Sequence, residues 1–276
     1  MSKMEKFVSG GKKLSVEIGD HFAPTLSYGG VRKLIRKKDV KVNGARVSSD
    51  VPTEVGDVIE VYYDKPAFEP KIIYSDENLL LCHKPVNITS EDFYGRIKEI
   101  YPEAAFLHRL DRNTDGLIAF ALNSAAEAEM LNGFKQRTFE KFYLAEVYGA
   151  FVKKEGVLTA YLMKDAKNAK VEIFSEPHKN ADKIVTKYKT LKEYDGRSLL
   201  EVGLVTGKTH QIRAHLAHEG HFVIGDGKYG KESVNRIYHE KKQRLTAYKI
   251  IFHFGAESIL GYLDGATFTT EYGRLD

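Results

Sequence analysis

The chain has 276 residues, 42% of them hydrophobic, a formal charge of +4 and a pI near 8.8. That length suits one medium domain plus a small one, and the mild basicity permits a nucleic-acid partner without demanding it. A single cysteine, Cys82, excludes an internal disulfide, no stretch nears the roughly 18 apolar residues of a membrane span, and Met1 to Lys13 holds no apolar run of signal-peptide length, so a soluble cytoplasmic protein with no membrane partner is expected.

Residues 12 to 63 read as a compact unit that begins with Leu14, Val16 and Ile18. Ser27 caps a helix with Val31, Leu34 and Ile35 on one face. The other face shows Arg32, Lys33, Arg36 and Lys37, with Lys38 and Lys41 close by. Alternation around Asn43-Gly44 predicts a hairpin, and Val55 to Tyr62 predicts a further strand. A basic helix beside a small hairpin offers cations to phosphates, although a solvated basic face accounts for the same run. The spacing of Val31, Leu34, Ile35, Val40, Val42, Asn43 and Gly44, closed by Val55-Gly56-Asp57, resembles the RNA-binding module first seen in ribosomal protein S-four. That resemblance implies RNA contacts by Arg32, Lys33, Arg36, Lys37 and Lys41. Residues 1–66 are thus expected to form a small α/β RNA-binding domain. Pro66 and Pro70 stiffen a linker that runs to about residue 71, and 72–276 form the second domain.

The second domain opens with two short strands around a turn at Asp76-Glu77-Asn78, and Cys82 falls in an apolar strand as inert core. Next comes a dense cluster: His108, Arg109, Asp111, Arg112 and Asp115, followed at once by the apolar run Leu117 to Leu122. The run reads as a buried strand fed by an Asp115-Gly116 turn. Charges beside a core strand are costly unless paired or used. Asp111, flanked by Arg109 and Arg112, is expected to be held as an anion. A fixed carboxylate can attack carbon, take a proton or stabilise a cation. A plain ion-pair network at the mouth of the strand accounts for the same residues.

Ser124 to Glu127 reads as a capping box whose helix turns Ala128, Leu131 and Phe134 to the core. Lys141 to Gly149 alternates as a strand, and Lys183 to Thr206 as a hairpin turning at Tyr194-Asp195-Gly196-Arg197. Beyond Thr206, helical spacing sets Ile212 and Leu216 on one face with Arg213 beside it, and Gly220 ends the helix. Gly203 and Gly207-Lys208-Thr209 stand one residue too close for a phosphate-binding P-loop. His210, His215, His218 and His221 lack the cysteine or carboxylate that would complete a zinc spacing, so no metal is expected. Ile250, Phe252 and Phe254 alternate as a last strand.

His108 to Leu117 (HRLDRNTDGL) and Thr206 to His215 (TGKTHQIRAH) resemble the two signatures of the RluA-like pseudouridine synthases. Between and after them, Lys141 to Ala145, Gly225 to Gly230 and Arg244 to Tyr248 match further family segments, so the resemblance runs from about Ile72 to Phe254. Asp115 replaces a family serine, Lys208 an arginine and Thr246 a histidine. Val86 to Ser90 replaces a glycine and a His-Pro step, and the segment from Lys84 to His108 is short. The resemblance implies an α+β fold, with a mixed, largely antiparallel sheet flanked by helices in the catalytic domain. It implies that Asp111 is catalytic, that Arg213 pairs with it and that Tyr143 stacks on an extruded base. His108, Arg109, Arg112, Thr114, Lys208, His210 and Gln211 would shape the substrate site, while Phe139, Phe142 and Tyr148 are read as structural. The implied reaction turns uridine into pseudouridine in structured RNA, ribosomal RNA being favoured over transfer RNA, with no cofactor and a monomer as the default. Two other readings stand beside it: a structured-RNA-binding protein with a silent catalytic fold, and a carboxylate-dependent nucleosidase that releases free base.

Overall fold

A computed structural model of the chain describes residues 2–22, 28–64, 69–165 and 169–271. The Ser27 cap and linker residues 65–68 lie outside the described residues. Four strands form the first sheet, in the order β1 (Ser2–Gly10), β4 (Val55–Asp64), β2 (Val40–Val42), β3 (Ala45–Arg46). Helices α1 (Leu14–Phe22) and α2 (Tyr28–Arg36) belong to the same core, where Leu14, Ile18, Val31, Ile35, Val40, Ile59 and Val61 are buried. Asn43 and Gly44 both take positive φ, the primed turn that matches the strand twist. The unit starts earlier than residue 12. Met4 and Val8 of β1 point to solvent, which blurs its alternation, and β1 is held instead by continuous pairing to β4. Val16 is exposed while Leu14 and Ile18 are buried, the spacing of one helical stripe.

The second sheet has 11 strands. In chain order they are β5 (Lys71–Ser75), β6 (Leu79–Lys84), β7 (Ala105–Phe106), β8 (Asp115–Ala121), β9 (Glu140–Tyr148), β10 (Glu155–Asp165), β11 (Lys170–Phe174), β12 (Asp182–Tyr194), β13 (Arg197–Leu204), β14 (Leu245–Ile251) and β15 (Thr267–Thr269). The spatial order is β11-β10-β12-β13-β9-β14-β8-β6-β5, with β15 added to β14 and β7 to β8. Among the described residues only β14 and β8 run parallel, so the sheet is mixed and largely antiparallel, as expected. Helices α3 (Ser90–Ile100), α4 (Ser124–Gln136), α5 (Gln211–His218) and α6 (Glu232–Ile237) complete the domain. Among the described residues, no helix is long and apolar enough to cross a membrane.

Strands β6 and β8 are buried on both faces, which is why they read as unbroken apolar runs. Leu79, Leu81 and Ala119 face α4, whereas Leu80, Cys82, Ile118 and Phe120 face α3. Burial pushes the Cys82 thiol up to about 12, so it is inert core. The signature strand is thus buried between α3 and α4, with the charged cluster at its start. The parallel neighbour β14 comes very close here. Gly116 has φ +112, and a Cβ on it would lie 2.2 Å from the Ala247 carbonyl oxygen. Gly116→Ala is expected to destabilise the protein by at least about 2 kcal/mol, read as a lowered urea midpoint.

Helix α4 departs from its sequence reading. Its cap is Asn123, whose side chain accepts from the Ala126 amide, and Ser124 is already helical. Its inward residues are Ala126, Met130 and Gly133, while Ala128 and Leu131 face outward and Phe134 is half-buried. The reason is steric: a Cβ at Gly133 would lie 2.0 Å from Phe139, so the smallest residue marks the packed face. Strands β10 and β11 and helix α3 had no counterpart among the predicted elements.

Candidate active site

The loop between β7 and β8 carries Asp111, and buried polar groups hold it on both sides. The Ser90 hydroxyl donates to the Leu110 carbonyl and accepts from the Leu110 amide, both at 2.9 Å. The fully buried Lys84 ammonium donates to the carbonyls of Pro85, Ile88 and Arg112, at 2.8, 3.0 and 3.4 Å. Burial lowers Lys84 to about 8, against the opposing pull of Asp115 and Asp111. The Thr114 amide closes the turn on the Asp111 carbonyl. With its backbone fixed at residues 110, 112 and 114, Asp111 has little freedom beyond its own side-chain rotation.

The cation that meets Asp111 is Arg213, on the first turn of α5 and 102 residues further along. Its Nη1 donates to Asp111 Oδ2 at 2.8 Å. Its other edge forks onto Asp226, Nε to Oδ2 at 2.7 Å and Nη2 to Oδ1 at 3.0 Å. Asp226 is fully buried and also accepts from the Lys228 and Tyr229 amides. Burial opposes the Arg213 charge, but hydrogen bonds to Asp226 and Asp111 outweigh it and raise its pKa further. The Tyr229 ring packs 5.2 Å from the guanidinium.

The expectation that Arg109 and Arg112 hold Asp111 is corrected here. Arg109 pairs with Glu91 at 3.1 Å on the surface, and Arg112 is exposed. Sequence neighbours in a tight loop diverge, whereas Arg213 projects from a separate element packed opposite.

Asp111 faces a cavity of about 500 Å³ and, among the described residues, is the only carboxylate in its lining. The cations lining it are Arg109, Lys135, Arg137, Lys141, Lys208 and Arg213. Tyr143, on β9, forms part of the wall; burial first, then the Asp111 charge, push its phenol pKa up. His108 accepts from the Ala119 amide through Nε2 at 3.0 Å and packs on Phe134, and burial lowers it to about 3, so its ring is neutral. His210 takes positive φ at the start of α5. It hydrogen-bonds the Tyr229 hydroxyl through Nδ1, and its Nε2 stands 3.9 Å from Asp111. Burial lowers its pKa despite that carboxylate. Lys208 pairs with Asp182 at 2.7 Å. Thr114 is buried and accepts from Gln243, and the Gln211 amide links Thr206, Lys208, Val185 and Thr186, closing the 206–211 loop. The remaining histidines of the run have separate partners: His215 meets Thr186, His218 meets Ser175, and His221 meets the Tyr148 carbonyl.

The family model described as RNA pseudouridylate synthase matches residues 78–218, just over half of the chain, a span holding Asp111, Tyr143 and Arg213. The chain belongs to this family. Ribosomal large subunit pseudouridine synthase C of Vibrio cholerae is 31% identical over 228 residues, 72% of this chain and 71% of its own length. Dual-specificity RNA pseudouridine synthase RluA of Yersinia pestis is 31% identical over 169 residues, 57% of this chain and 81% of its own. Among solved structures, Human RNA Pseudouridylate Synthase Domain Containing 1 superposes with a TM-score of 0.60 at 26% identity, covering 66% of this chain and 78% of that one.

In this pseudouridylate synthase the sequence reading missed Asp226, Lys84, Ser90 and Lys141 as parts of the site. For Asp226 the signal was present in the Gly225-Asp226 turn, but nothing local says which guanidinium it meets. Lys84 and Ser90 act through backbone carbonyls and amides of a distant loop, which leaves no pattern in spacing.

Proposed function

We propose that this enzyme, an isomerase of the pseudouridine synthase family, converts specific uridines of large-subunit ribosomal RNA with Asp111 as its catalytic carboxylate. The observation that carries the reading is the lone carboxylate at the cavity wall, braced by Arg213 and surrounded by cations. Such a cavity attracts a polyanion while keeping one acceptor ready for the sugar or base of a single nucleotide. In the reaction the glycosidic C–N bond breaks, the uracil turns and a C–C bond forms, with no net oxidation. A uridine in folded RNA must first leave its stack, at a few kcal/mol. Tyr143 stacks on the extruded base, worth about 1–3 kcal/mol. Arg213 keeps Asp111 aimed, His108, Arg109, Thr114, Lys208, His210 and Gln211 shape the pocket, and the exposed Arg112 holds displaced RNA.

Residues 1–66 serve in this reading as a separate S-four-like RNA-binding domain ahead of the catalytic domain, 72–276. In support, Arg32, Lys33, Arg36 and Lys37 lie exposed along and just beyond α2. Lys41 is engaged by Glu60 at 3.5 Å, so it contributes less than the helix. The preference for ribosomal over transfer RNA draws on the name of the Vibrio cholerae relative. The enzyme acts as a cytoplasmic monomer without a cofactor. The test is to map pseudouridines in cellular RNA with and without this protein. Loss of discrete sites in large-subunit ribosomal RNA is expected. Loss confined to transfer RNA moves the substrate, and no loss anywhere overturns the reading.

A further inference from the structure

Lys141 stands out among the cavity cations. It is partly buried on β9, two residues before Tyr143, so the strand repeat sets both side chains on the same face about 7 Å apart. Its Nζ lies 5.4 Å from the Phe134 ring centroid and packs against Gly207 of the opposite loop. Among the other cavity cations, Lys208 has Asp182, Arg213 has two aspartates, Arg109 has Glu91, and Lys135 and Arg137 lie exposed to water. Among the described residues no carboxylate pairs with Lys141, and the one charge bearing on it, Arg137, has the same sign. A desolvated ammonium without a counter-charge is costly, and here a second cation adds to that. The cavity offers no internal remedy, since its single carboxylate is already bound by Arg213.

We propose that Lys141 binds a backbone phosphate of the RNA, the one flanking the nucleotide whose base lies against Tyr143. This rests on the functional reading above and adds the chemistry of a binding residue to it. A phosphate supplies the missing negative charge, and a lysine serves as a point-charge donor to it. The site is therefore poised for an anion in the free protein and completed only when RNA enters.

The charge leaves two independent signatures. Full-length wild-type, Lys141→Met and Lys141→Arg proteins are titrated with unmodified large-subunit ribosomal RNA, transcribed in vitro, over a series of salt concentrations. Pseudouridine yield and the thermal midpoint of the free proteins are measured alongside. Lys141→Met is expected to weaken binding about tenfold and to flatten the slope of log K against log salt by about 0.7–0.9, the loss of one phosphate contact. It is also expected to raise the thermal midpoint by roughly 2–4 °C, because an uncompensated charge has been removed. Lys141→Arg keeps the wild-type slope. A Lys141→Met protein with the wild-type slope and affinity, or one that only melts lower, overturns the assignment while leaving the enzyme's function intact. An RNA in which the wild type modifies no uridine overturns the functional reading, and this assignment with it.

Discussion

Asp226→Ala is expected to destabilise the protein by about 3–5 kcal/mol and to slow turnover on the order of a hundredfold. The carboxylate touches no cavity surface; its effect passes through Arg213. With Asp226 in place, the Nε–Nη2 edge of the guanidinium is occupied at 2.7 and 3.0 Å, and Nη1 is turned to meet Asp111. Removing it leaves a buried cation with one carboxylate instead of two and frees the guanidinium to swing, so Asp111 loses its fixed aim. Turnover should fall while the Michaelis constant for RNA stays near the wild-type value, since no RNA contact is lost. Asp226→Asn, which keeps the shape and one acceptor, should fall between the two. The pair also predicts acid sensitivity. Burial works to raise the Asp226 carboxyl, but Arg213 and the Lys228 and Tyr229 amides outweigh it and hold its pKa below the usual carboxylate range. A carboxyl lowered on folding adds stability above its unfolded value, near 3.9, and that contribution fades as pH falls through the native value. Wild-type stability should therefore decline below about pH 4, and the decline should be shallower in Asp226→Ala.

Much of this architecture was legible because its signals are local. The Asn43-Gly44 and Asp195-Gly196 turns, the strand after Gly116 and the α5 stripe of Ile212 and Leu216 all follow from short-range sterics and apolar period. The family resemblance reached further, since it paired Asp111 with Arg213 across 102 residues, which periodicity cannot do. The reading failed where a side chain answers to a distant partner. Charge counting assigned Arg109 and Arg112 to Asp111, yet Glu91 takes Arg109. The capping box shifted because Asn123 outranks Ser124 as a cap in the chain's actual path, and the core face of α4 turned toward Gly133, which carries no apolar signal. Strand β1 escaped notice because two of its three apolar side chains, Met4 and Val8, face solvent. Asp226 and Lys84 are buried charges, and a sequence shows charge without showing burial.

Asp111→Asn keeps the side chain's shape and leaves an oxygen for Arg213 to bond, so the fold and the cavity should survive. What it removes is a negative charge and a basic, nucleophilic oxygen at the one acidic point of the cavity lining. If Asp111 does the chemistry, no second carboxylate lines the cavity to replace it: the neighbouring His108 is held neutral with Nε2 already engaged by the Ala119 amide, His210 is tied through Nδ1 to the Tyr229 hydroxyl, and the rest are cations, hydroxyls, the Gln211 amide or apolar groups. Pseudouridine formation should fall by about a thousandfold or more, the scale of a lost acid–base or nucleophilic group. RNA affinity should hold or rise slightly, since a negative charge facing phosphates is gone. The decisive measurement is tritium release from 5-tritiated uridine in large-subunit ribosomal RNA by wild-type and Asp111→Asn proteins matched for folding and RNA binding. Release by the wild type and none above background by the variant is the predicted result; release by the variant at the wild-type rate would contradict it.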